Sequence, residues 1–245
     1  MKKLHSLLKM ISDPGAIMAA INWPKFSLTS FQMIRKLKKQ GIEPKTVLDV
    51  GGNVGQFAVA SAKIWNPVRV YTWEAVPSCV DRLAKNVSSL SNIKIYPVAL
   101  GEEESQISFN VNKHSHSSSI LPLASGHIDA FPDAQEVDQI TVEMSTLDIL
   151  LDSEELQSPI LLKIDVQGYE LNVLRGANKL LKKVDYILLE TSFKSLYEGE
   201  PIFLDVVQFM WERGFRFLRP VDWLSHPETG EILQADALFC KEGGS

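Results

Sequence analysis

Two carboxylates stand at the ends of apolar runs: Asp165 follows Leu161-Leu162-Lys163-Ile164, and Glu190 follows Tyr186-Ile187-Leu188-Leu189. Short apolar runs of this kind read as buried strands, and the carboxyl ends of parallel strands face the ligand crevice of an open α/β sheet. Two acids there suit proton abstraction from a hydroxyl, or oxygen ligation of a hard cation such as magnesium. No spacing demands a metal, so magnesium is admissible without being indicated. Asp165 is the first choice of base, with Glu190 beside it. His114 and His116 compete for the role, because imidazole titrates near neutrality and their loop can fold over a cleft; His116 is the third catalytic candidate. The competing readings are that Asp165 caps the following helix and that Glu170 answers that helix's dipole. Lys163 either pairs with Asp165 or Glu190, lowering that carboxylate's basicity, or reaches solvent.

A second signal is Val47-Leu48-Asp49-Val50-Gly51-Gly52-Asn53-Val54-Gly55, a strand running into a glycine-rich turn that opens a helix. Glycines there let a ligand approach the backbone. A dinucleotide fingerprint requires Gly at Asn53 and Gly or Ala at Gln56, and a P-loop requires Gly-Lys-Ser/Thr, so neither is met. The looser turn that holds S-adenosylmethionine fits. Glu74 ends the next strand about 20 residues on, where an acid accepts the two hydroxyls of a ribose.

The elements that position these residues alternate. Strands are expected at Thr46–Val50, Val68–Trp73, Ile93–Val98, Ile160–Ile164 and Val184–Leu189, with closing strands at Phe215–Leu218 and Ala237–Cys240. Helices are expected at Ser30–Lys39, Val54–Ile64, Pro77–Ser88, Tyr169–Leu181 and Ile202–Arg213. Such alternation means a parallel sheet with crossover helices. Between the third and fourth strands, Gln106–Val111 and Ile140–Met144 alternate apolar and polar residues like an antiparallel pair inserted into the fold. The long connection between them carries His114, His116 and Ser117-Ser118-Ser119. Trp211, Phe215, Phe217 and Trp223 are expected to pack in the core rather than stack on a sugar.

The 245 residues, 45% hydrophobic and 22% charged, suffice for one domain over 44–245 and a helical extension over 1–43. Through Lys45 there are 9 basic and 2 acidic residues, and the remainder carries 16 basic against 28 acidic, so a body at -12 follows a segment at +7. A body that acidic repels a phosphate backbone, which makes nucleic acid a poor partner. Leu4, Leu7, Leu8 and Ile11 with intervening lysines form a basic amphipathic helix ahead of an Asp13-Pro14-Gly15 break. It suits packing on the domain or on a second copy in a homodimer, with peripheral membrane contact as the alternative. Two distant cysteines, Cys79 and Cys240, and no uninterrupted apolar run point to a cytoplasmic protein.

At these motifs the chain resembles the FkbM family of S-adenosylmethionine-dependent methyltransferases, over roughly Pro44 to Leu218. The resemblance rests on the Leu48–Gly55 turn, Val98-Ala99-Leu100-Gly101, Thr146-Leu147-Asp148, Leu162-Lys163-Ile164-Asp165-Val166-Gln167-Gly168-Tyr169-Glu170, Leu174-Arg175-Gly176-Ala177 and Leu189-Glu190. Gly52 stands where Ala is commoner. The resemblance implies a Rossmann-like class I methyltransferase fold: a seven-stranded, mostly parallel sheet with helices on both faces. It also implies methylation of a hydroxyl on a sugar, glycan or secondary metabolite. By the same carry-over Asp49, Gly51, Gly52, Asn53 and Gly55 cradle the methionine part, Glu74 holds the ribose, and Ala99 lies near the adenine. Two other readings stand beside it: a nucleic-acid or protein methyltransferase, and a non-catalytic nucleoside-binding module in a biosynthetic complex.

Overall fold

The computed structural model describes residues 10, 13–112, 119–121, 136–226 and 228–243. The chain begins with α1 (Pro14–Asn22) and α2 (Leu28–Lys39), followed by β1 (Thr46–Val50), α3 (Gln56–Ile64), β2 (Arg69–Trp73), α4 (Pro77–Val87) and β3 (Ile93–Tyr96). The middle holds β4 (Ala99–Leu100), β5 (Ser105–Asn112), β6 (Glu136–Ser145) and α5 (Leu147–Leu150). It closes with β7 (Ile160–Ile164), α6 (Glu170–Arg175), β8 (Tyr186–Ser192), α7 (Phe203–Trp211), β9 (Phe215–Ser225) and β10 (Ile232–Lys241).

Seven strands form one sheet in the order β3-β2-β1-β7-β8-β10-β9, parallel except for β10, which runs against both its neighbours. β1 and β7 are buried at every residue, which explains their mostly apolar sequence; the charged exceptions, Asp49 in β1 and Lys163 in β7, are neighbours in register. One face of the sheet packs Ile34 and Leu37 of α2 and Phe57 and Ala58 of α3 against Val47, Val70 and Leu161. The other packs Leu147, Leu171, Leu174, Val206 and Met210 against Leu48, Leu162, Ile164 and Leu189. β5 and β6 pair antiparallel, as expected for the insertion, and β4 joins β6 in parallel to make a second, three-stranded sheet. The expected third strand, Ile93–Val98, ends two residues early at Tyr96, and Ala99–Leu100 beyond it pairs with Met144–Ser145.

Other boundaries differ for identifiable reasons. Asp13-Pro14-Gly15 is a helix start rather than a break: the Asp13 carboxylate accepts the N–H of Gly15 (3.0 Å) and Ala16 (3.3 Å), and Pro14 opens α1. The basic helix expected before it falls outside the described residues, apart from Met10. α3 begins at Gln56 because Gly55, at φ 90°, breaks helical geometry before it. The helix expected over Tyr169–Leu181 stops at Arg175 with Gly176 as its C-cap, and only glycine fits there, because a Cβ on Gly176 would stand 2.0 Å from the carbonyl oxygen of Gly101. The chain resumes as a 3-10 turn at Leu180–Lys182, started by the Asp148 carboxylate, which accepts the N–H groups of Lys179 and Leu180, both at 2.8 Å. Three of the motifs singled out in the sequence, around Gly101, Asp148 and Gly176, thus meet at one structural junction. Phe215 is core, but Trp211, Phe217 and Trp223 are exposed, contrary to the expected packing. Among the described residues no helix is long and apolar enough to cross a membrane.

Candidate active site

The carboxyl end of β1 turns sharply. Gly51 and Gly52 donate their N–H groups to the Trp73 carbonyl (3.1 and 2.8 Å), and Gly51, Asn53 and Gly55 adopt positive φ of 80°, 46° and 90°. Two of the glycines are required by packing. A Cβ on Gly51 would lie 1.9 Å from the Asp165 carbonyl oxygen, and one on Gly52 would lie 2.1 Å from Thr72 Oγ1. The first contact shows that the turn after β1 and the loop after β7 abut.

Glu74, at the end of β2, is bonded into the same turn. Its Oε2 accepts the Asn53 N–H and its Oε1 the Val76 N–H, both at 2.8 Å. Burial raises its pKa, against these backbone donors, which lower it. A carboxylate has four lone-pair sites, so it can accept from a ribose diol in addition to backbone donors. Ala99 is buried against Val142 and Met144, in a cluster that also contacts Ala75, the residue after Glu74.

Asp49 sits in register between Thr72 on β2 and Lys163 on β7. It is fully buried; Thr72 donates to its Oδ2 (3.1 Å), and the Lys163 ammonium lies 3.4 Å from its Oδ1. The same ammonium is 3.4 Å from Asp165 Oδ2 and donates to the carbonyl oxygens of Gly51 (3.3 Å) and Val50 (3.5 Å). Burial would discharge this lysine, but Asp165, Asp49 and Asp236 together hold it above the usual lysine range. Lys163 is therefore a buried charge that ties the cofactor turn to the β7 end, and it does not reach solvent.

The loop after β7 makes the other half. Asp165 is not the cap of α6, whose N-terminal neighbour is Tyr169. Glu170 is buried, and its Oε1 accepts the N–H groups of Val166 and Gly168, both at 3.1 Å. Burial lifts its carboxyl to about 8. Gln167, at φ 57°, points its amide nitrogen at both candidate acids: 2.8 Å to Asp165 Oδ1 and 2.6 Å to Glu190 Oε2. Gln167 thus bridges the two carboxylates read from sequence. Tyr197, from the loop after β8, donates to Gln167 Oε1 at 2.6 Å. Burial, followed by Asp165, Glu170 and Asp236, raises Glu190 well above the usual carboxylate range. Asp236 faces Glu190 across the β8–β10 pair and is lifted to about 7, first by burial and then by Asp165.

Gln167, Tyr197 and Asp236 were not among the expected site residues. Gln167 lay inside a quoted motif, whereas Tyr197 and Asp236 carry no local signal and are found only through cross-strand register and the return of the β8–α7 loop. His114 and His116 lie outside the described residues. Among the described residues no group of three or more His, Cys, Asp or Glu side chains is arranged to hold a metal ion.

A family model described as the methyltransferase FkbM domain matches residues 49–217. The 2-O-methyltransferase NoeI of Sinorhizobium fredii is 26% identical over 160 residues, 63% of this chain and 66% of that protein. The hexuronic acid methyltransferase AglP of Haloferax volcanii is 29% identical over 161 residues, 64% of this chain and 60% of that protein. The match thus spans less than two thirds of either relative. Among solved structures, a provisionally described RNA methyltransferase of Pyrococcus horikoshii superimposes with a TM-score of 0.50 at 14% identity, covering 89% of this chain and 83% of that one. A provisionally described O-methyltransferase of Klebsiella pneumoniae does so with a TM-score of 0.50 at 11% identity, covering 88% and 80%. At such identity these likenesses show the fold alone, which is that of the class I methyltransferases.

Proposed function

The chain belongs to the FkbM methyltransferase family, and from that membership we propose that it transfers a methyl group from S-adenosylmethionine to a hydroxyl oxygen of a sugar or similarly hydroxylated metabolite. The observation that carries this reading is the joining of two units at one sheet end. Glu74 is bonded to the glycine turn through Asn53, and the turn abuts the loop bearing Asp165 and Gln167. The names of the two curated relatives, one a 2-O-methyltransferase and one acting on hexuronic acid, favour a sugar acceptor.

The residues present fit the cofactor. Glu74 offers carboxylate oxygens to ribose hydroxyls, the left-handed, Cβ-free backbone at Gly51 and Gly55 lets the methionine part approach the turn closely, and Ala99 borders the base. S-adenosylmethionine, when bound, supplies an electrophilic methyl carried on a sulfonium. Asp49 and Asp165 share the Lys163 cation, which fixes the wall between the cofactor turn and the acceptor cleft.

Asp165 is the general base. Its side chain is about one third exposed, at 35%, so an acceptor hydroxyl and then bulk water can both reach it. It takes the hydroxyl proton as the oxygen gains the methyl group, and releases it to solvent afterwards. Glu190, held well above the usual carboxylate range by burial and its acidic neighbours, serves to hold the acceptor by hydrogen bonding. Two carboxyl groups in one cleft thereby take two roles set by their surroundings. No step requires magnesium.

Calorimetric titration with S-adenosylmethionine and S-adenosylhomocysteine, with NAD as control, tests the cofactor. Saturable binding of the adenosyl pair, weakened about tenfold or more by Glu74→Ala, is the expected result. Methyl-labelled donor offered with methyl glycosides of neutral hexoses and of hexuronic acids then tests the acceptor. Absence of adenosyl binding in folded protein would overturn the enzyme reading in favour of a partner-recruiting module.

A further inference from the structure

Gln167 adopts a left-handed backbone conformation at φ 57°, unusual for a residue with a long side chain, between Asp165 and Gly168 at φ 96°. Such a conformation is strained for a residue with a side chain and persists only where the surroundings determine it. Here four contacts do so. The backbone oxygen accepts from Ser119 Oγ (2.6 Å), the amide oxygen accepts from the Tyr197 hydroxyl (2.6 Å), and the amide nitrogen donates to Asp165 Oδ1 (2.8 Å) and Glu190 Oε2 (2.6 Å).

The orientation of the amide follows from chemistry. The Tyr197 phenol has a proton to give, so the atom it meets is the amide oxygen. Turning the amide over would set that oxygen against two carboxyl oxygens. With the phenol holding one end, both N–H bonds are spent, one on each acid.

From this geometry we infer that Gln167 is a positioning residue for proton transfer: it aims the Asp165 carboxylate and couples it to Glu190, while Tyr197 locks the amide. The inference rests on the reading of Asp165 as base. A neutral donor suits this task better than a cation. Asp165 already shares Lys163 through Oδ2, and a second positive charge on Oδ1 would stabilise the carboxylate and weaken it as a proton acceptor. The amide instead fixes the second oxygen without adding charge. Charged and titratable groups face this pair from every side: Lys163 from β7, Asp49 from β1, Glu170 from α6, Asp236 from β10 and Tyr197 from the loop after β8.

The left-handed backbone supplies a clean variant. Gln167→Gly removes the side chain where glycine is conformationally favoured, so the fold is kept. Tyr197→Phe removes only the lock, from a separate segment. Carboxyl carbons of Asp and Glu are labelled with 13C and followed by NMR across pH, with Asp165→Asn and Glu190→Gln assigning the two signals. Loss of the shared donor is expected to raise both midpoints by about half a pH unit or more in Gln167→Gly, and by less in Tyr197→Phe. With a methyl glycoside that the wild type methylates, kcat is expected to fall about 10- to 100-fold in Gln167→Gly, while S-adenosylmethionine affinity stays within about threefold. Unchanged midpoints in folded Gln167→Gly, or shifted midpoints with unchanged kcat, would overturn the inference. The titration needs no acceptor, so a wild type inactive on every glycoside removes the functional reading and leaves the NMR result to decide Gln167.

Discussion

Gly52 and Thr72 occupy one another's space: a Cβ added to Gly52 would lie 2.1 Å from the Thr72 hydroxyl oxygen. That hydroxyl is committed to Asp49 Oδ2 at 3.1 Å, so it cannot turn away without leaving a fully buried carboxylate short of a donor. Gly52→Ala is therefore expected to destabilise the protein by about 1–3 kcal/mol, as overpacking does in rigid cores. Thr72→Ala alone should cost about 1 kcal/mol for the lost bond. The double variant should be more stable than the sum of the two by about 1 kcal/mol, because deleting the hydroxyl makes room for the methyl. Urea unfolding of the four proteins measures the coupling, and strict additivity would show that the two sites do not compete.

Lys163 is the lone ammonium between Asp49 and Asp165 among the ion pairs of the described residues. Its removal leaves Asp49 charged and wholly buried, or forces it to take up a proton. Lys163→Met is expected to cost about 3–5 kcal/mol, the usual consequence of breaking a buried pair from one side. Adding Asp49→Asn should recover part of the loss. A single variant that unfolds at the wild-type urea concentration would mean that the pair carries no net stability.

Sequence reading succeeded where a short run of residues carries its own physics. The mostly apolar strands β1 and β7 and the glycine turn each declare themselves within ten residues, and the ends of the strands place Glu74, Asp165 and Glu190 at one end of the sheet. It failed where a residue's partner comes from elsewhere in the chain. Gly176 looks like the interior of a long helix until Gly101, from β4's end, is seen against it. Asp13-Pro14-Gly15 has the composition of a turn and also that of a capped helix start, and packing of Ala16 and Ala19 against Phe31 selects the second. Tyr197 enters the site only because Glu200 folds the loop that carries it, accepting the N–H groups of Leu196 (2.6 Å) and Tyr197 (3.1 Å). Asp236 enters because β10 runs antiparallel to β8 and brings it opposite Glu190.

Stability should fall as pH rises through neutrality. Burial raises Glu170 to about 8 and Asp236 to about 7, both far above their unfolded values, so the folded state binds more protons than the unfolded one in this range. Their contribution is fully present below about pH 4 and is lost as pH climbs through 7 and 8. Glu170→Gln keeps an oxygen to accept the Val166 and Gly168 N–H groups but carries no ionisable proton. Its stability relative to wild type should therefore improve steadily from about pH 5 to pH 8, measured by urea unfolding across that range. A constant difference between the two proteins would mean that Glu170 does not titrate there.

The two acids of the cleft are distinguished by what their amides do. Asp165→Asn removes the group that accepts the hydroxyl proton, and should lower kcat about 10²- to 10⁴-fold while S-adenosylmethionine affinity changes only a few-fold. Glu190, held well above the usual carboxylate range by burial and by Asp165, Glu170 and Asp236, acts as a hydrogen-bonding partner, which a glutamine imitates in shape. Glu190→Gln should therefore keep kcat within about tenfold of wild type near pH 7. It should also stay active at higher pH, where wild-type Glu190 ionises and sets a second negative charge beside Asp165. Steady-state rates of both variants across pH, on one methyl glycoside, decide the assignment. The reverse order of losses would make Glu190 the base and Asp165 the partner that Lys163 holds in place.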